Sequence, residues 1–218
     1  MSKGVRRNTL IGMCGAASLL LLGGCNVGQA IRALQYQTAP TKEDVDAEYD
    51  GLAKHKALVY VWAKPETLWD YPQMRLDLSA HLSAYLAEHV KDADIVPAPQ
   101  VETYVKSLST MTPDAAEIGR HFHADTVIHL SVYKFSLRDP GMSQFYRGRI
   151  SASVVVLDVS AKDGTVKRTP LQDVVVTVPE EGILGTFNTT AEEVRDSTYK
   201  EFTQVTGRKF HKWEKELK

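Results

Sequence analysis

At 218 residues and 43% hydrophobic side chains, the chain has room for one domain with a sizeable core, with or without a tether. Its 26 basic residues against 27 acidic ones argue against a nucleic-acid-binding or polybasic membrane surface.

The first element is a secretory signal. Lys3, Arg6 and Arg7 make a basic start, Leu10 to Leu22 an apolar run broken only by small residues, and Gly23-Gly24-Cys25 its end. A basic start, an apolar stretch of about 7–15 residues and small residues after it form a cleavable signal, too short for a permanent anchor. Leu22-Gly23-Gly24-Cys25 resembles the lipobox of bacterial lipoproteins. The resemblance implies that residues 1–24 are removed and that the Cys25 thiol is acylated as the new N-terminus. Cleavage at Cys14 would leave too short an apolar run.

Loss of the signal leaves 23 basic and 27 acidic residues, a net charge of −4, with Cys25 the remaining cysteine. A lipidated thiol cannot pair, so no intrachain disulfide forms. The resemblance also implies a diacylglycerol and a third acyl chain. One chain holds only marginally at about 0.8 kcal/mol per buried CH₂, whereas several keep a protein on its membrane. Asn26 departs from the Asp that retains lipoproteins at the inner membrane, which implies the periplasmic face of the outer membrane. No later segment has the ~18 consecutive apolar residues of a membrane-spanning helix.

Residues 26–40 are polar and read as a tether, ending at Ala39-Pro40, so that residues 25–53 are the lipidated N-terminus and tether and 54–218 the folded domain. Thr41-Lys42-Glu43-Asp44 has the form of a helix cap. Ala57–Trp62 is dense in β-branched and aromatic residues and reads as a strand. A long helix follows, with Pro72 in its first turn and Met74, Leu78, Leu82, Tyr85, Leu86 and His89 on one stripe. Ile95-Val96 is a short strand before Pro97. Val101, Tyr104, Val105 and Leu108 mark a second helix. Thr112-Pro113-Asp114 opens a third, with Thr112 as cap and Ala115, Ile118 and Phe122 as its stripe.

The chain then turns to strands. In Thr126–Leu137, Ile128, Leu130 and Val132 share one face, and Val127, His129, Tyr133 and Phe135 the other. Tyr146–Val159 follows, with the central-strand run Val154–Leu157. Lys162-Asp163-Gly164 is a hairpin signal, and Asp173–Val178 a further strand. Thr190-Ala191-Glu192-Glu193 is a capping box for a final helix with Val194, Thr198, Phe202 and Val205 inward. Arg208, Lys209 and Lys212 complement its dipole. This order predicts a single-domain α/β sandwich: a mixed sheet with long antiparallel strands and helices packed on it.

Residues 114–128, with Ala115, Ile118, Gly119, Ala124, Asp125 and Ile128 at the telling positions, resemble an A-x-x-I-G-x-x-x-x-A-D-x-x-I element of bacterial envelope domains. The group includes the N-terminal domain of the Tol translocation protein, the curli secretion lipoprotein and the lipoprotein that activates a penicillin-binding protein. The hairpin carrying Val154–Asp158 and Asp163-Gly164 is similar to the group's hairpin. The resemblance covers roughly residues 54–212. It implies close packing of Gly119 on the sheet and a tight helix-to-strand turn at Ala124-Asp125. The short, polar Arg138–Phe145 connection departs from a pore, whose spanning strands need about 9–11 residues. The tether is much shorter than the activator lipoprotein's leader, so a partner would have to come near the membrane.

His121, His123 and His129 invite a metal reading. Two histidines at i, i+2 on a helix point to different sides, however, and zinc needs three or four converging ligands. Asp158, Asp163 and Asp173 would need to converge in a cleft for acid–base work, and a hairpin turn already explains Asp163. Ser151 and Ser153 lack a nucleophile elbow, and neither glycine-rich nucleotide motif is present. Trp62, Trp69 and Tyr71 read as core or rim aromatics. Gly182–Phe187 is an apolar loop with two readings, a lid over the core edge or an exposed contact patch. In the second, Ile183, Leu184 and Phe187 bind a partner, and Met142 and Phe145 invite the same pair of readings. The expectation is a lipid-anchored, non-enzymatic module without cofactor that binds or activates another envelope protein. The alternatives are a subunit of an oligomeric secretion or transport assembly and a metal-dependent hydrolase.

Overall fold

The computed structural model describes residues 42–110, 112–138, 146–180 and 190–217. Cys25 and the expected contact residues Met142, Phe145, Ile183, Leu184 and Phe187 lie outside them.

Strand β2 (Lys56–Ala63) shows why its sequence is an unbroken apolar run. Ala57, Val59, Val61 and Ala63 enter one hydrophobic core, and Leu58 and Tyr60 enter a second. A parallel strand covered on both faces has no polar side to present. Its sheet also contains β3 (Asp94–Ile95), β4 (Thr126–Ser136), β5 (Gly148–Asp158) and β6 (Lys167–Val178), in the order β3-β2-β4-β5-β6. The first three are parallel, and β5 and β6 are antiparallel. Helices α2 (Met74–His89) and α5 (Ala191–Gly207) pack against one face; α3 (Ala98–Ser107) and α4 (Ala115–His121) lie on the other. The domain is the α/β sandwich implied by the order of its elements. Residues 44–213 form one compact unit.

Several local expectations are corrected. Lys42–Val45 is a strand, β1, rather than a helix start. It pairs with β7 (Trp213–Glu216) in a separate two-stranded sheet. Leu52, placed in the tether by sequence, is fully buried in the core, so packing begins before residue 54. Pro65–Asp70 is a short helix, α1, opened by proline, and Pro72 precedes α2 instead of lying within it. Of the α2 stripe, Met74, Leu78, Leu82 and Leu86 are buried, whereas His89 is exposed. Helix α4 is capped by Asp114, whose Oδ1 accepts from the Ala116 N–H at 2.9 Å, in place of Thr112.

Phe135 sits on the face opposite to the one its alternation predicts. β4 contributes an extra residue at Tyr133, between the pairs Val132↔Ala152 and Lys134↔Ser151. One extra residue reverses the side on which every later side chain falls, so Phe135 joins Ile128, Leu130 and Val132 in one core. β6 begins six residues earlier than expected, at Lys167. Its polar first half and Pro170 suit the sheet edge, where a missing N–H disrupts no central ladder.

The capping box of α5 is present as predicted. Glu193 N–H donates to Thr190 Oγ1 and Thr190 N–H to Glu193 Oε2. The helix ends at Gly207, however, where a Cβ would strike the Tyr85 ring of α2. The basic residues beyond it do not cap a dipole. Lys209 Nζ, buried, donates to Glu48 Oε1 at 2.6 Å; Lys212 pairs with Asp44; and Arg208 lies over the Trp213 ring.

Candidate interaction surface

Gly119 and Asp125 define one end of the sheet. A Cβ on Gly119 would collide with the Val127 side chain and stand 3.1 Å from Val159 Cγ2, so α4 lies as close to the strands as the resemblance implied. Ala124 N–H donates to the Gly119 carbonyl, and His123 adopts a positive φ of 50°, which closes the helix and turns the chain into β4. Asp125 then joins three strands. Its Oδ2 accepts from Lys56 N–H at 2.9 Å, its N–H donates to Lys56 O, and its carbonyl accepts from Val159 N–H. Residues 44–55 lead into β2 at this same end, where Glu48 and Tyr49 meet Lys209 and Phe210.

The opposite end gathers the connections. Arg147 N–H donates to Leu137 O where β4 and β5 part, and Gly148 pairs with Val178 where β6 finishes. Arg138 donates to Tyr146 Oη at 2.7 Å and lies over its ring. Arg147 donates to Glu180 O. The Tyr71 ring meets Phe135 edge-on at 4.5 Å. Arg138, Tyr146 and Glu180, the described residues that flank the expected contact segments in sequence, are therefore all at this end. A groove of about 630 Å³, lined by Val175–Val178, Glu180, Glu201 and Val205 among others, lies at this end. Helix α5 starts here and ends near Tyr85, a run of 17 residues or about 25 Å at 1.5 Å per residue.

The candidate chemical residues are not brought together. His121 stacks on Tyr104 with ring centres 3.7 Å apart, and His123 occupies the turn. His129 stacks on Tyr60 at 5.2 Å and meets Ser131 Oγ at 3.3 Å. Burial, with the Arg168 charge, holds the His129 imidazole below its ordinary range. Among the described residues no group of three His, Cys, Asp or Glu side chains could hold a metal ion. Asp158 accepts from Ser160 N–H and Oγ, and Asp163 from Thr165 N–H; these bonds hold both carboxyls below their usual range. Tyr60 Oη is buried without a hydrogen-bond partner, and desolvation pushes the phenol up to about 12.

Trp69 is the residue that sequence reasoning misplaced. It is 80% exposed on α1, not a core or rim aromatic. The missed signal is Leu68-Trp69 inside a six-residue helix started by proline. Leu68 packs on the core, and its neighbour on a helix so short must face elsewhere.

No described helix is long and apolar enough to cross a membrane. No family model and no curated protein matches the chain. Among solved structures it is similar to the PelC dodecamer from Paraburkholderia phytofirmans, with 15% identity over 74% of this chain and 93% of that one and a TM-score of 0.40. It is similar to lipoprotein GNA1162 from Neisseria meningitidis, with 16% identity over 70% and 98% and a TM-score of 0.42. The hypothetical protein CT253 from Chlamydia trachomatis shares 12% identity over 72% and 97%, with a TM-score of 0.38. Likeness at these identities and scores assigns no function to the chain.

Proposed function

We propose that the chain is a lipid-anchored, non-enzymatic module on the periplasmic face of the outer membrane that binds another envelope protein. The anchor reading rests on Leu22-Gly23-Gly24-Cys25 behind a basic, apolar signal. The observation that carries the binding role is topological. Residues 44–55 reach β2 at the Asp125 end, whereas Arg138, Tyr146 and Glu180, which flank the expected contact segments in sequence, are at the other. A domain tethered at one end presents the other to a partner, about 25 Å further along α5. Ile183, Leu184 and Phe187 are the contact residues of this proposal, because a few apolar anchors dominate most interfaces. The test is crosslinking in intact cells with identification of the captured protein. Capture of one envelope protein by the native chain, lost in Ile183→Ser/Leu184→Ser at unchanged melting temperature, supports the role. Equal capture by both chains refutes it.

A further inference from the structure

Two described surfaces on opposite sides of this domain are complementary. Helix α1 packs Leu68 into the core shared with α2 and α5, and Tyr71 follows it there. Its outer side carries Glu66, Trp69 and Asp70, all exposed, at i, i+3 and i+4. That spacing places the three side chains together on one helix face. The result is an indole, 80% exposed, set between two carboxylates.

The second surface is the far face of the sheet. There α3 packs on β2, and α4 on β2 and β4. Toward β5 and β6 the described residues leave apolar side chains in the open, with Tyr133 46% and Val175 66% exposed. The register sets them on one row across three strands: Lys134, next to Tyr133 in the bulge, pairs with Ser151 of β5, which pairs with Val175. Lys134 and Arg168 bring positive charge to this face, Arg168 close enough to His129 to lower its pKa. Asp173 is the acid on the exposed side of β6.

We propose that the occupant of the Tyr133–Val175 face is α1 of a second copy of this chain. Trp69 lies over the apolar patch, and Glu66 and Asp70 face Lys134. Tryptophan is among the side chains that most often anchor interfaces, and charges of opposite sign around it set the register. The two surfaces are different parts of one molecule, so the contact is head-to-tail. Such a contact repeats from copy to copy and closes as a ring or extends as a filament. This goes beyond the envelope-partner reading and does not depend on it, because the test involves only this chain.

The test is disulfide crosslinking of the full chain in intact cells, with Trp69→Cys and Val175→Cys. The double variant should give a ladder of crosslinked multimers. Either single variant should stay monomeric, and the two singles co-expressed should give a dimer. Charge exchange provides a second measurement at exposed positions. Asp70→Lys should reduce the ladder at least several-fold, and Lys134→Asp added to it should restore the ladder. A double variant that stays monomeric or closes a disulfide within one chain overturns the proposal, as does a dimer from one single variant alone. A ladder indifferent to the charge exchange overturns the assigned pairing.

Discussion

Asp125 and Lys56 exchange two hydrogen bonds across the starts of two parallel strands. Lys56 N–H donates to Asp125 Oδ2 at 2.9 Å, and Asp125 N–H donates to Lys56 O at 2.7 Å. The side chain extends the β2–β4 ladder by one bond at the point where the helix-to-strand turn would otherwise leave the Lys56 amide unpaired. Asp125→Ala should therefore lower stability by about 1–3 kcal/mol, the cost of an amide left without its acceptor. Asp125→Asn keeps an oxygen in place and should retain most of the stability. Urea unfolding of the two variants checks this; equal losses would mean that the carboxylate charge, not the hydrogen bond, matters.

Gly119→Val should destabilise the fold by about 1–3 kcal/mol, as overpacking does. Its Cβ would meet Val127, fully buried in the middle of the sheet and unable to retreat. A melting temperature equal to that of the native chain would contradict the close approach of α4.

His129 should give the domain a pH dependence of definite sign. Its folded pKa is lowered by burial and by Arg168, with Asp114 opposing. The unfolded chain therefore binds this proton more readily than the folded one. The stabilising contribution is complete above the ordinary histidine range, about pH 6.5, and declines as pH falls from there toward the folded value. His129→Gln should show a shallower loss of stability between neutral and mildly acidic pH. Parallel stability curves for the two proteins would exclude the assignment.

Cys25→Ser should abolish lipidation and leave the precursor uncleaved, because the thiol is the proposed acyl acceptor. Metabolic labelling with a fatty acid and the mobility of the product on a gel report both steps. Labelled, processed Ser variant would end the lipoprotein reading.

Ile183→Ser/Leu184→Ser separates the two readings of the 182–187 loop. As a contact, the loop should tolerate the change within about 0.5 kcal/mol, as surface positions do. As a core lid, it should lose about 2–5 kcal/mol for each side chain, as large-to-small core changes do. Thermal unfolding decides between them.

The features legible in the sequence were those written as a pattern of neighbouring residues. The Thr190–Glu193 box, the central run of β2 and the Gly119 and Asp125 turn all carry local signatures. The features that escaped depend on distant segments. Phe135 changes face because β5 lacks a partner for Tyr133. The first half of β6 is polar and holds Pro170, and it is a strand because β5 is there to pair with it. The chain beyond Gly207 continues the helical pattern in sequence, yet it turns away to bring Lys209 to Glu48, 161 residues earlier. Trp69 is outside because a six-residue helix with Leu68 committed to the core leaves its next side chain no interior to enter. Hydrophobic period, caps and small residues by themselves determined the class of fold, and the proposed address signal at Cys25 rests on the sequence alone. Only the tertiary structure decided register, edge and exposure, since each depends on which strand or helix arrives alongside.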